Sequence, residues 1–180
     1  MIPRAAVFID GAYLDNLLMR EPGMRPSVDH FDMVRYMVKD TELFRAYWYD
    51  CLPGVQAPED MGRLQHKEKF LSYLRGLPKM EVRLGKLGSV GPRDKVQFVQ
   101  KGVDVSLAVD LVALSAQRAI SEAHILSGDN DFSPAVKYAK DNGVSVKLWY
   151  GGRGRPGVDL YEACDEREEL RLGEFKAKVA

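Results

Sequence analysis

Five short stretches of this chain are apolar almost without interruption, and they limit its possible folds more than any other feature. They are RAAVFI (4–9), ELFRAYWYD (42–50), KMEVRLGKL (79–87), AHILS (123–127) and GVSVKLWY (143–150). A strand with one wet face alternates apolar and polar residues. Continuous runs instead suit strands covered on both faces, as in a parallel sheet between layers of helices. Helical spacing fills the intervals, in FDMVRYMVK (31–39), MGRLQHKEKFLSYLRG (61–76), VSLAVDLVALSAQRAI (105–120) and SPAVKYAKDNG (133–143). In the last, Ser133 reads as the N-cap, Pro134 as the first helical residue and Gly143 as the stop. Alternation of this kind predicts a three-layer, Rossmann-like α/β domain with a central parallel sheet.

The segments EPGMRPS (21–27) and GSVGPRDKVQFVQKG (88–102) read as insertions, the second as a candidate hairpin. Residues 158–180 read as a charged terminal helix, so the expected layout is a domain over 1–157 with a helical extension over 158–180. The 180 residues are enough for one substantial core. Basic and acidic residues balance at 26 each, which argues against the broad basic footprint of a protein that coats nucleic acid. Contact with a polyanion must then come from a local patch and be salt-sensitive. Cys51 and Cys164 lie far apart with no CxxC spacing, so neither a disulfide framework nor a zinc site is expected. With no signal-like leader and no run of membrane-spanning length, the expected location is cytoplasmic.

Acidic residues sit where strands end. Asp10 closes the first run in VFIDG, and Asp129 follows the fourth in ILSGD, with Asp131 two positions on. Asp104 immediately precedes the strongest helical segment. In open α/β sheets, ligands bind beyond the carboxyl ends of strands, where strand order reverses. If the first and fourth strands are neighbours there, these carboxylates converge and disfavour one another's ionised forms. A hard cation removes that conflict. All-oxygen ligation, with His30, His66 and His124 scattered away from the acids, points to Mg²⁺ or Mn²⁺. Each acid also has a local explanation: Asp104 or Asp131 as a helix cap, Asp10 with Gly11 as a turn. Asp110 shares a helix face with Ser106 and Gln117, which a solvated polar face explains equally well.

Three blocks together, VFIDGAYL, QKGVDVSLAVDLVALS and AHILSGDNDFSPAVKYAKDNGVSVKLW, resemble the NYN domain family (LabA-like), a branch of the PIN-like nucleases. The likeness covers most of residues 4–150. It implies a parallel sheet ordered 3-2-1-4-5 and a metal-dependent ribonuclease site at Asp10, Asp104, Asp129 and Asp131, with Asp110 also matching the family pattern. The family often carries an asparagine soon after the first aspartate; here that position is Tyr13, and Asn16 is the nearest asparagine. On this reading Asn16, Asp110, Ser127 and Asn130 orient ligands or solvent around the metal. Lys101, Arg93, Lys95, Arg153 and Arg155 are the candidate contacts to RNA, expected to be single-stranded, and the chain is a possible homo-oligomer.

Other chemistries fit less well. GGRGRPG (151–157) contains a dinucleotide-type glycine pattern, but the βαβ context that motif needs is missing. A phosphatase of the haloacid dehalogenase type requires an acid at position 12, which is alanine. No GxSxG motif or cysteine–histidine neighbour supports a covalent hydrolase. The alternative of a different class is a non-catalytic RNA-binding or protein-interaction module on the same fold.

Overall fold

The computed structural model describes residues 3–19, 28–39, 41–55, 57–58, 60–90, 97–152 and 155–175. Strands β1 (Arg4–Asp10), β2 (Glu42–Asp50), β3 (Met80–Leu84), β6 (Glu122–Leu126), β7 (Ser145–Tyr150) and β8 (Glu166–Glu169) form one sheet, in the order β3-β2-β1-β6-β7-β8. Every pair in it is parallel. Counted within this sheet alone, the order is 3-2-1-4-5-6, the expected arrangement with one strand added. Strands β4 (Lys86–Val90) and β5 (Gln97–Lys101) pair separately as an antiparallel hairpin within the second insertion.

Side-chain alternation explains why the strand sequences are apolar throughout. Ala5, Val7 and Ile9 of β1 join Trp48 and the inward faces of α1 (Gly11–Met19), α2 (His30–Val38) and α3 (Asp60–Arg75). Ala6 and Phe8 point the other way, toward α4 (Val103–Ala116), α5 (Ser133–Asp141) and α6 (Val158–Ala163). Both faces are therefore core, and water reaches the central strands mainly at their ends. Both cysteines are buried free thiols and serve as small apolar residues. Among the described residues, no helix is long and apolar enough to cross a membrane.

Three local expectations are corrected. The run 79–87 is not one strand: it breaks at Gly85, whose N–H turns to the Asp50 carbonyl at 2.8 Å. Residues 158–180 are not one helix either. Among the described residues the α-helix covers Val158–Ala163, Glu166–Glu169 then adds a sixth strand to the sheet, and Leu172–Glu174 forms a short 3-10 turn. Charge decides this pairing: Lys147 of β7 reaches Glu168 at 2.6 Å and Glu166 at 3.4 Å, while Lys140 holds Asp165 at 2.9 Å. A short, heavily charged strand is also a safe edge, since it resists pairing with a further chain. Finally, Ser133 is the first residue of α5 rather than its cap; its hydroxyl donates back to the Asn130 carbonyl at 2.6 Å. Gly143 does take the left-handed backbone of a helix stop, with φ +81. The insertion 21–27 lies outside the described residues.

Candidate functional site

Strand β1 is where the chain reverses its travel across the sheet, with β2 and β3 on one side and β6, β7 and β8 on the other. The parallel register then determines which residues meet at that switch point. Ile9 is paired with Leu126, so Asp10 and Ser127 leave the sheet side by side. The fully buried Ser127 donates its hydroxyl to Asp10 Oδ2 at 3.0 Å and accepts the Asp129 N–H at 3.3 Å. Asp10 Oδ1 accepts the Tyr13 N–H at 3.0 Å, which ties the first turn of α1 to the carboxylate. Asp129 Oδ1 accepts the Asp131 N–H at 3.0 Å and so caps the short 3-10 turn Asn130–Phe132.

Asp104 approaches from the opposite side, at the N-terminal end of α4. It is not the cap of that helix: Gly102, with φ +83, occupies the cap position, and no side chain caps it. A carboxylate in a first helical turn is favoured by the helix dipole. Even so, burial, then the charges of Asp129 and Asp131, raise Asp104 above its ordinary 3.8. Burial likewise raises Asp10, against the opposing Tyr13 and Ser127 hydrogen bonds, and Asp104 adds to the effect. The four acids thus act on one another across three separate chain segments.

These acids make a donor set of oxygens only. Among the described residues, no three acidic, histidine or cysteine groups close into a tight ligating cluster. The arrangement suits a hydrated hard cation, which takes one or two carboxylates and keeps water in its remaining positions. It does not suit a closed protein cage of the zinc type.

Beside the acids lies a cavity of about 330 Å³ lined by Asp10, Asp129, Gly128, Ala12, Tyr13, Asn16, Leu17 and Arg155. Both Tyr13 and Asn16 therefore face it. Tyr13 is wedged in place: a Cβ on Gly128 would stand 2.7 Å from the Tyr13 ring, and the Tyr13 hydroxyl accepts the Gly151 N–H at 3.4 Å. Glycine at 128 is thus required by the close approach of the ring rather than by backbone conformation.

The other expected site residues are distributed as follows. Asp110 turns to β2 and β3, its Oδ2 accepting from the Tyr49 hydroxyl at 2.8 Å and from Arg83 Nε at 3.3 Å. Asn130 turns to α6, its Oδ1 accepting the Leu160 N–H at 3.1 Å. Lys101 ends β5, two residues before α4. Arg155 lines the cavity, whereas Arg93, Lys95 and Arg153 lie outside the described residues.

One group beside the site escaped notice in the sequence. Asp50 ends β2 as Asp10 ends β1, and it is only 4% exposed. Lys67 of α3 reaches its Oδ2 at 2.6 Å and Asp15 of α1 at 3.1 Å. Trp48 Nε1 also donates to Asp50 Oδ2, at 3.0 Å. A Cβ on Gly11 would lie 2.8 Å from that same oxygen, so the pair sits directly under the turn that follows Asp10. A second strand ending in aspartate was a signal available in the sequence. Its lysine partner, one of several charged residues on α3, was not.

An open parallel sheet with acids gathered at its switch point defines the PIN-like, nuclease-type class of α/β fold. Within that class the chain belongs to the NYN domain family, whose model matches residues 4–170. It is 37% identical over 92 residues to the uncharacterized protein y4oD of Sinorhizobium fredii (strain NBRC 101917 / NGR234), a match spanning 50% of this chain and 40% of that protein. The chain thus accounts for less than half the length of this curated relative. The fold resembles the crystal structure of a protein of unknown function, VPA0982, from Vibrio parahaemolyticus RIMD 2210633. That likeness has a TM-score of 0.67 at 19% identity and covers 98% of this chain and 97% of the other.

Proposed function

We propose that this protein is a metal-dependent ribonuclease that hydrolyses phosphodiesters in single-stranded RNA. The observation that carries this reading is the convergence of Asp10, Asp104 and Asp129 on one edge of the sheet, with Ser127 bridging two of them. Asp10, Asp104, Asp129 and Asp131 would hold Mg²⁺ or Mn²⁺, directly or through water. When bound, such an ion supplies an activated water and neutralises charge on the phosphoryl group.

The chain's own residues supply the rest. Ser127 and the Tyr13 N–H fix both oxygens of Asp10, so the carboxylate is aimed before any ligand arrives. Asp129, bonded through Oδ1 to the Asp131 N–H, keeps the loop after β6 in its tight turn. Arg155, which lines the same cavity, would meet a phosphate oxygen and hold the backbone in register. Asn16 and Tyr13 offer polar atoms to the nucleotide between those walls. No residue acts as a covalent nucleophile in this scheme.

The test joins binding to activity. Titration calorimetry with Mn²⁺ is expected to show an interaction that Asp10→Asn and Asp129→Asn each weaken severely. Mn²⁺-dependent cleavage of single-stranded RNA should be lost in the same variants. Unchanged metal affinity in both would remove the mechanism. The lack of a tight three-group cluster among the described residues favours, as the second reading, a module that binds RNA without cutting it. That alternative predicts gel-shift without cleavage in wild type and Asp129→Asn alike.

A further inference from the structure

Helix α6 carries surface that the core does not explain. Val158 is 66% exposed and Tyr161, three residues on and thus on the same helix face, is 39% exposed. Tyr161 meets Tyr150, at the carboxyl end of β7, edge to face at 6.0 Å. The Arg167 guanidinium lies 5.0 Å from the Tyr161 ring centre, held there by hydrogen bonds to the carbonyls of Tyr161 (2.7 Å) and Cys164 (2.8 Å). Two aromatic rings and an ordered cation therefore stand together on the edge of the sheet where Asp10 and Asp129 emerge.

This group is fastened to the acidic loop. Asn130, between Asp129 and Asp131, accepts the Leu160 N–H, and the Gly157 N–H donates to the Gly128 carbonyl at 2.8 Å. A Cβ on Gly157 would overlap the Asn130 side-chain amide, so that side chain packs directly on the Gly157 backbone. The loop that presents the acids thus also sets the position of α6. Arg155 links the two regions, since it lines the cavity beside Asp10 and Asp129 and its charge also reaches the Tyr150 phenol. Glu169, close to Tyr150 on the β8 side, and the exposed Asp159 and Glu162 of α6 are opposing charges around the patch.

We propose that Tyr150, Tyr161 and Val158 form a stacking platform for an unpaired nucleobase of the RNA strand, with Arg155 holding the phosphate between this platform and the acidic cleft. The inference rests on the ribonuclease reading and deepens it, because it names where the strand runs once it leaves the acids and why the substrate is single-stranded. Every base offers a π-face, whereas a base inside a duplex has none free, so such a platform selects unpaired strands without selecting sequence. The Arg155 and Arg167 cations complement a polyanion, and uncharged rings between them avoid repelling it.

The test separates the platform from the chemistry. Anisotropy with a short labelled unstructured RNA, in Ca²⁺, is expected to show Tyr161→Ala weakening binding by about 5- to 150-fold, the usual loss for one stacked base. Tyr161→Phe and Tyr150→Phe, which keep the rings and the packing, should bind like wild type. Mn²⁺ affinity measured by calorimetry, which involves no stacked ring, should be unchanged in Tyr161→Ala. Equal RNA affinity in wild type and folded Tyr161→Ala overturns the platform, as does Tyr161→Ala abolishing self-association while leaving RNA affinity intact. If wild type hydrolyses no diester yet Tyr161→Ala still loses RNA, the nuclease reading fails and the platform stands.

Discussion

Replacing Lys67 by methionine probes the support beneath the site rather than the site itself. The substitution keeps most of the side-chain volume and removes the cation. Asp50, 4% exposed, would then lose a partner at 2.6 Å and keep, among the described residues, the Trp48 Nε1 and Cys51 N–H donors, at 3.0 and 2.8 Å. Removing one member of a buried ion pair costs about 3–5 kcal/mol, because a charge is left without compensation. The Lys67 side chain is 18% exposed and that of Asp15 43%, so water reaches part of the network and the lower end applies, about 3 kcal/mol. For a domain of this size that is a fall in Tm of roughly 6–12 °C. Urea unfolding at neutral pH measures it, with an unchanged m-value expected. The double variant Lys67→Met, Asp50→Asn should recover most of the loss, since the stranded charge is gone. A single variant as stable as wild type, or a double variant no better than the single, would refute the argument that a buried charge is being compensated.

Other outcomes follow from the same geometry. Asp10 and Asp104 are raised above 3.8, so the folded state holds protons that the unfolded chain releases; stability should decline as pH rises from 3.8 through their folded values. Urea melts across pH are expected to show that decline flattened in Asp104→Asn, and Mn²⁺ should stabilise wild type at neutral pH. His30 shows the opposite sign: burial, opposed by Asp29 and Asp15, lowers it to about 4 from 6.5, and its Nδ1 has no hydrogen-bond partner among the described residues. The unfolded state takes up a proton first, so about 3 kcal/mol should be lost as pH falls from 6.5 to 4, an acid limb that His30→Phe removes. Gly128→Ala drives a methyl group against the Tyr13 ring and should cost about 1–3 kcal/mol in thermal or urea melts.

Much of the architecture was legible before any coordinates. Five of the six strands of the main sheet fall within the continuous apolar runs, to within a residue at either end, because a strand buried on both faces leaves few positions for polar residues. The missed strand, Glu166–Glu169, carries no apolar residue at all. Its pairing is stabilised by Lys147 of the neighbouring strand, a partner that no local pattern announces. For the same reason Asp110 and Asn130 read as site residues in sequence but find their hydrogen-bond partners elsewhere: helix phase gives a direction, and only packing says what lies in that direction.

By itself, the sequence determined a parallel α/β sheet with acids after its first and fourth apolar runs and at the start of its strongest helix, through burial period and the placement of Asp10, Asp129, Asp131 and Asp104. Tertiary structure alone decided which acids meet and what supports them. The pairing of Ile9 with Leu126 sets Asp10 against Ser127, and α3 folds back to put Lys67 on Asp50. Apolar periodicity is a local property of the backbone and can be read along one dimension. Convergence of charges depends on strand register and on contacts between residues far apart in the chain, which exist only after the layers have closed.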